Sequence, residues 1–385
     1  MSNSVSEFFS KEGIKKFKNG AKAFAERQAI KVAAVSMVLA GAFASNVRAH
    51  TDQTQESGHV TAYAITEKGD TICSYLAERT DSASFARLQG LVDKATKSET
   101  GCEILKNISK QNTVLTIADA GSGTVGFFDP DNNSICLNKI FDDAMLQSCL
   151  IHEGKHSVQS FSLGRSLDSD NTFYTNTIMS RVMEADAVAT QTKFSYELAQ
   201  AGDSAAWKSI REEHKVIADT FEAGAKKYGK DKNRTMRNTM LAWYKDKPYA
   251  KLYDVSLAEF HTNVSIKMSA DQLQDKFQKG IDTDELIRAV CQLGGKTYAK
   301  DGSLLTAPET AYLSRDVYFE TQVASSILGT KTGRKDVSAS FMYPLEIDGT
   351  VSNLTYVQES QVKRQKEKQA AQTQMVVNKL KMNDR

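Results

Sequence analysis

The chain has 385 residues, 41% of them hydrophobic and 25% charged, with a formal net charge of +2. That balance is typical of a soluble globular protein with room for one large domain or two modest ones. So small a charge gives no reason to expect nucleic acid as the main partner. Only four prolines occur. Together with long Ala/Lys/Glu/Gln-rich tracts, they predict a mostly helical chain; with the strands read below, the expected class is α+β, predominantly helical.

Residues 1–31 are basic, with Lys11, Lys15, Lys16, Lys18, Lys22, Arg27 and Lys31. An apolar run follows at 32–44, then the small-residue patterns Ala42-Phe43-Ala44 and Val47-Arg48-Ala49. This order reads as a secretory signal over 1–49, with export to the periplasm or beyond the cell. The basic segment is longer than usual for a signal. The alternative is an uncleaved inner-membrane anchor, although 32–44 is shorter than the roughly 20 residues a span requires.

Five cysteines occur (Cys73, Cys102, Cys136, Cys149 and Cys291), with no CxxC pair. A cysteine zinc site is therefore not expected. In an exported protein Cys73–Cys102 is the first candidate for a bridge; the alternative is buried free thiols.

Residues 50–70 read as a linker or an irregular strand. Cys73, Leu76, Phe85, Leu88, Leu91, Val92 and Ala95 give 71–110 a helical period. Val114–Ala118 reads as a strand, and Gly121–Phe128 as a loop entering a second. The Asp129–Asn133 turn leads into a return strand at Ser134–Asn138. A helix over 142–160 follows. Further helices are expected near 172–200, 204–228, 232–245, 248–265, 269–279, 282–293 and 308–328. Ser269 with Gln272 has capping-box spacing, and Asp282 with Glu285 is a looser analogue. A hairpin is expected around Asp348-Gly349, within 338–357. The Lys/Gln-rich residues 358–385 read as a solvated tail. The resulting division is 1–49 signal or anchor, 50–112 N-terminal helical region, 113–200 core, 201–337 helical region, and 338–385 hairpin and tail.

The chemistry sits in His152-Glu153-Gly154-Lys155-His156. Only six histidines occur in the chain, and two fall here at i and i+4, on one face of a helix. Both rings can reach one Zn²⁺. Glu153, one step round the helix, is placed to reach a water molecule as general base. The helix also carries Leu146, Leu150, Ile151 and Val158, so it is packed, and its polar groups need partners.

A catalytic zinc needs a third protein ligand. Gln159 and Ser162 stand where a metzincin would have glycine and histidine, which excludes that pattern. His214 lies in a charged run and His261 follows Glu259-Phe260, so neither is well set. Glu184 is the best candidate, in an apolar helix whose alanines permit close approach. Its alternative is a salt bridge to Arg181 at i−3. Asp186 points to another face and reads as a residue that orients a ligand or packs the helix.

HEGKHSVQ (152–159) followed by RVMEADAVA (181–189) resembles the gluzincin-type zinc peptidases of the zincin fold, over roughly residues 113–200. The resemblance implies a small antiparallel sheet packed on the HExxH helix. It also implies zinc held by His152, His156 and Glu184, Glu153 as general base, and a peptide or protein substrate. It makes Ser134–Asn138 the strand along the cleft edge, able to pair with an extended peptide. Val188 departs from the pattern, which has Asp there, and this leaves the partner of the histidines open. Tyr253, Tyr249 and His261 are the candidates for a transition-state donor. The alternative function is a metal-binding, non-proteolytic envelope protein acting as a binding or structural module.

Overall fold

The computed structural model describes residues 58–121, 124–164 and 167–334, and the backbone of Tyr343–Leu345. The 1–49 segment with its apolar run at 32–44, the hairpin at Asp348-Gly349 and the tail at 358–385 lie outside the described residues. Among the described residues no helix is long and apolar enough to cross a membrane.

β1 (His59–Ile65) and β2 (Thr71–Glu78) form an antiparallel hairpin. The expected helical period over Cys73 and Leu76 is thus corrected: β2 alternates, burying Tyr75 and Ala77 between more exposed neighbours, which is the period of a strand. Helical structure begins only with α1 (Ser82–Ala95) and α2 (Glu99–Lys110), capped by Asp81 and Ser98. These two helices form the crossover to β3 (Val114–Ala118), which pairs in parallel with β2. β4 (Gly126–Asp129) and β5 (Ser134–Asn138) complete the sheet, in the order β1-β2-β3-β5-β4.

The sheet is therefore mixed, not antiparallel, because β2–β3 and β3–β5 run parallel. It also crosses the division expected at 112/113. β3 is nearly continuous apolar residues, as an inner strand covered on both faces must be. β5 is paired on both sides, so it cannot be the open edge expected of it; that edge is β4.

α3 (Asp143–Leu163) begins at the Asp142 cap and ends at Gly164 in the left-handed region. Gly154 lets it dock on α2: a Cβ there would lie 2.5 Å from Cγ2 of Ile104. α4 (Phe173–Gln200) is buried on nearly every side, because it stands between two cores. Phe194 and Leu198 join the core formed by the sheet with α1, α2 and α3. Ile178, Met179, Val182, Ala185 and Val188 join a second core with the later helices.

The expected helix over 204–228 is two, α5 (Ala205–Glu213) and α6 (Lys215–Tyr228), broken at His214. α7 (Lys232–Trp243) and α8 (Lys247–Lys267) follow, the latter with Pro248 in its first turn. Ser269 and Gln272 do form a capping box, but α9 is only Ala270–Leu273. α10 (Thr283–Val290) starts at the Asp282 cap. The short strands β6 (Gln292–Leu293) and β7 (Lys296–Thr297) then pair as a hairpin. The remaining elements are α11 (Ser303–Thr306), β8 (Tyr312–Ser314), α12 (Arg315–Thr332) and β9 (Tyr343–Leu345), which pairs in parallel with β8. All five cysteines are free, so the expected Cys73–Cys102 bridge is not present.

Candidate metal centre

α3 carries His152 and His156 one turn apart, with ring centroids 4.7 Å apart and planes at 81°. Their Nε2 atoms lie 3.0 Å from each other. From α4, Glu184 brings Oε2 to 3.4 Å from His152 Nε2 and Oε1 to 3.3 Å from His156 Nε2. All three residues are buried. Their ligand atoms all lie within 4.8 Å of one another, as a group that could hold one metal ion. Ligands bonded to one tetrahedral ion at 2.0–2.2 Å stand roughly 3.3–3.6 Å apart. The two His–Glu184 spacings fit that geometry, whereas the two Nε2 atoms at 3.0 Å stand slightly closer than it requires; Glu184 Oε2 has no hydrogen-bond partner of its own.

The electrostatics of the group follow from burial and proximity. Burial alone would lower His156, but Glu184 beside it raises its pKa to about 9. The same histidines, working against burial, hold the Glu184 carboxyl well below the usual range. The alternative pairing of Glu184 with Arg181 does not occur. Arg181 turns away and meets Asp254 of α8 with two bonds, Nε–Oδ1 at 2.8 Å and Nη2–Oδ2 at 2.5 Å.

Glu153 lies beside the group without joining it. Burial raises its carboxyl, and the like charge of Glu184 adds to this. The two histidines and the Phe128 backbone N–H oppose the rise. Its Oε1 is 3.8 Å from Cys149 Sγ, and its Oε2 has no partner. The edge strand β4 lies tight on this part of α3, since a Cβ at Gly126 would stand 2.7 Å from Cys149 Sγ.

Of the expected donors, Tyr253 is close enough to the Glu184 charge for its pKa to be raised by it, after burial, and its hydroxyl lies 2.9 Å from that of Tyr249. His261 is elsewhere: it stacks on Phe173 at 4.3 Å, and burial lowers its pKa to about 3. It is a core histidine, and that expectation is corrected. His214, set aside on sequence, comes to the site instead. It meets the Tyr249 ring edge-on at 4.8 Å, feels His152 and Glu184 electrostatically, and leaves Nδ1 unpartnered. Its charged neighbours in sequence gave no sign that the break between α5 and α6 would bury it.

Asp186 contacts neither His152 nor His156. It accepts from Gln159 Nε2 at 2.6 Å, and Lys155 Nζ lies 3.1 Å away. The Tyr298 hydroxyl also donates to it. Gln159 in turn lies 2.8 Å from His156 Nδ1. Gln159 follows His156 at i+3, so the helix period could have revealed it. Tyr298 carried no local signal.

A family model described as "Putative metallopeptidase family (DUF6782)" matches residues 64–299, more than half of the chain. The chain belongs to that family. It is thus a member of a metallopeptidase family, which implies a metal and a peptide or protein substrate. The matched range holds the whole His152–His156–Glu184 group and ends just after Tyr298. No curated protein and no solved structure matches the chain.

Proposed function

We propose that the chain is a zinc-dependent peptidase of the gluzincin type on a zincin-like fold, with His152, His156 and Glu184 as zinc ligands and Glu153 as general base. The observation that carries this reading is the convergence of three buried side chains, with the two imidazole Nε2 atoms and the Glu184 carboxylate oxygens at 3.0–3.4 Å, beside the unpartnered Glu153 Oε2. Two nitrogens and one carboxylate oxygen are a donor set suited to zinc. A zinc ion held there supplies Lewis acidity and acidifies a water molecule.

Glu153 does the proton work. Its Oε2 accepts a proton from the attacking water and returns it to the nitrogen of the leaving amine. Burial raises its pKa, the direction that suits a group that takes a proton and gives it back. β4 supplies the substrate edge. Asn138 N–H donates to Val125 O at 2.8 Å, so by alternation Phe127 and Asp129 face β5. The backbone groups of Gly126 and Phe128 then face outward, toward Glu153 and an extended peptide.

Export rests on residues 1–49 and would place the substrate outside the cytoplasm. The test is a pair of variants. Glu153→Gln should keep near-stoichiometric zinc and lose peptide turnover. Glu184→Ala should lose zinc. Wild-type protein that retains no zinc after purification and reloading would sink the proposal. Zinc retained without turnover of any peptide library would favour the non-proteolytic module.

A further inference from the structure

Behind the metal-facing side of His156, Nδ1 lies 2.8 Å from Oε1 of Gln159. An amide can present either end to a ring, but here its surroundings force the choice. Gln159 Nε2 lies 2.9 Å from the Met183 carbonyl and 2.6 Å from Asp186 Oδ2. A carbonyl and a carboxylate only accept, so the NH₂ must face them. The amide oxygen therefore faces His156, and Nδ1 must carry the proton. Nε2 is left as the nitrogen available to a metal.

Asp186 holds this arrangement in place. It receives Gln159, Lys155 Nζ at 3.1 Å and the Tyr298 hydroxyl. One fully buried carboxyl thus takes three donors. Lys155, itself 1% exposed, balances the charge and also donates to Gln292 O at 2.5 Å. The middle of HEGKH is thus tied to the β6–β7 hairpin.

Resting on the metal reading above, we propose that Gln159 and Asp186 are positioning residues that fix the His156 ring with its proton on Nδ1 and Nε2 facing the metal. A metal-bound histidine commonly gives its second N–H to a carboxylate, carbonyl or water. Here a neutral amide oxygen takes it, and the carboxylate stands one residue further back, neutralised by Lys155. The ring is oriented without a second negative charge against it.

The test uses the full chain, Zn²⁺ as probe, a chromophoric chelator competition for affinity, and ¹⁵N-histidine NMR for ring state. In zinc-loaded wild type, His156 should show a slowly exchanging proton on Nδ1 and none on Nε2. Gln159→Leu should lose that protected proton and weaken zinc binding about 10–100-fold. Wild type that binds zinc while Gln159→Leu binds it equally well would overturn this proposal alone. So would a wild-type His156 protonated at Nε2, a result that needs no variant to fold. Wild type that binds no zinc would instead sink the metal reading beneath it.

Discussion

Arg181 stands one helical turn before Glu184 on α4, and Asp254→Asn should unsettle it. In the native protein the guanidinium is 1% exposed. It makes two bonds to Asp254 and a third from Nη1 to Thr310 O at 2.8 Å, and lies 4.6 Å from the Tyr312 ring. Burial opposes its charge, but Asp254 more than offsets this and keeps it firmly protonated. Asparagine preserves the shape and one acceptor but removes the neutralising charge. Leaving one partner of a buried ion pair uncompensated costs about 3–5 kcal/mol. Thr310 O and the Tyr312 ring remain, so the lower end applies, about 3 kcal/mol. For a folded unit of this size that corresponds to a melting-temperature drop of roughly 5 °C. Differential scanning calorimetry with zinc saturating gives the value. Arg181→Met with Asp254→Leu should recover most of it, since an apolar replacement of both partners removes the uncompensated charge. A drop below about 2 °C for Asp254→Asn would refute the reasoning. It would mean that Arg181 is not committed to Asp254 and is free to pair with Glu184.

Chelating the metal should lower stability reversibly, because a ligand that binds only the folded state stabilises it by about 2.7 kcal/mol at 100 times its Kd; thermal melts with and without chelator measure this. Burial pushes the Glu213 carboxyl up to about 8. For an acid raised on folding, stability is complete below the unfolded value and is lost as pH rises toward 8. Glu213→Gln should therefore gain on wild type between about pH 5 and pH 8 in chemical denaturation, and parallel pH curves would contradict this. Gly154→Ala should destabilise. Its Cβ would meet the β-branched Ile104 at 2.5 Å and Ile108 at 3.0 Å. Overpacking costs of about 1–3 kcal/mol exceed the helix gain of about 1 kcal/mol. Ile104→Leu, which removes the clashing Cγ2, should suppress most of that loss in a double-mutant cycle.

The juxtaposition of residues at the candidate site was partly legible because helical spacing is local. His152 and His156 at i and i+4 must share a face wherever the helix lies, and Glu153 must sit one step round from them. The Val114–Ala118 and Ser134–Asn138 strands and the Asp129–Asn133 turn were legible for the same reason. Short apolar runs were less decisive: Cys73 and Leu76 fit a helical period, and only the pairing of β2 with β1 and β3 makes them strand. Composition likewise could not order the sheet. That β4 rather than β5 forms its edge depends on partners distant in sequence. The same holds for the surroundings of the candidate site. Whether Glu184 pairs with Arg181 depends on Asp254 in another helix. His214 enters the site and His261 leaves it through the packing of α5, α6 and α8. Local spacing fixes which groups one helix presents; what those groups meet is decided by tertiary packing, because buried polar atoms take their partners from any part of the chain that can be brought within about 3 Å.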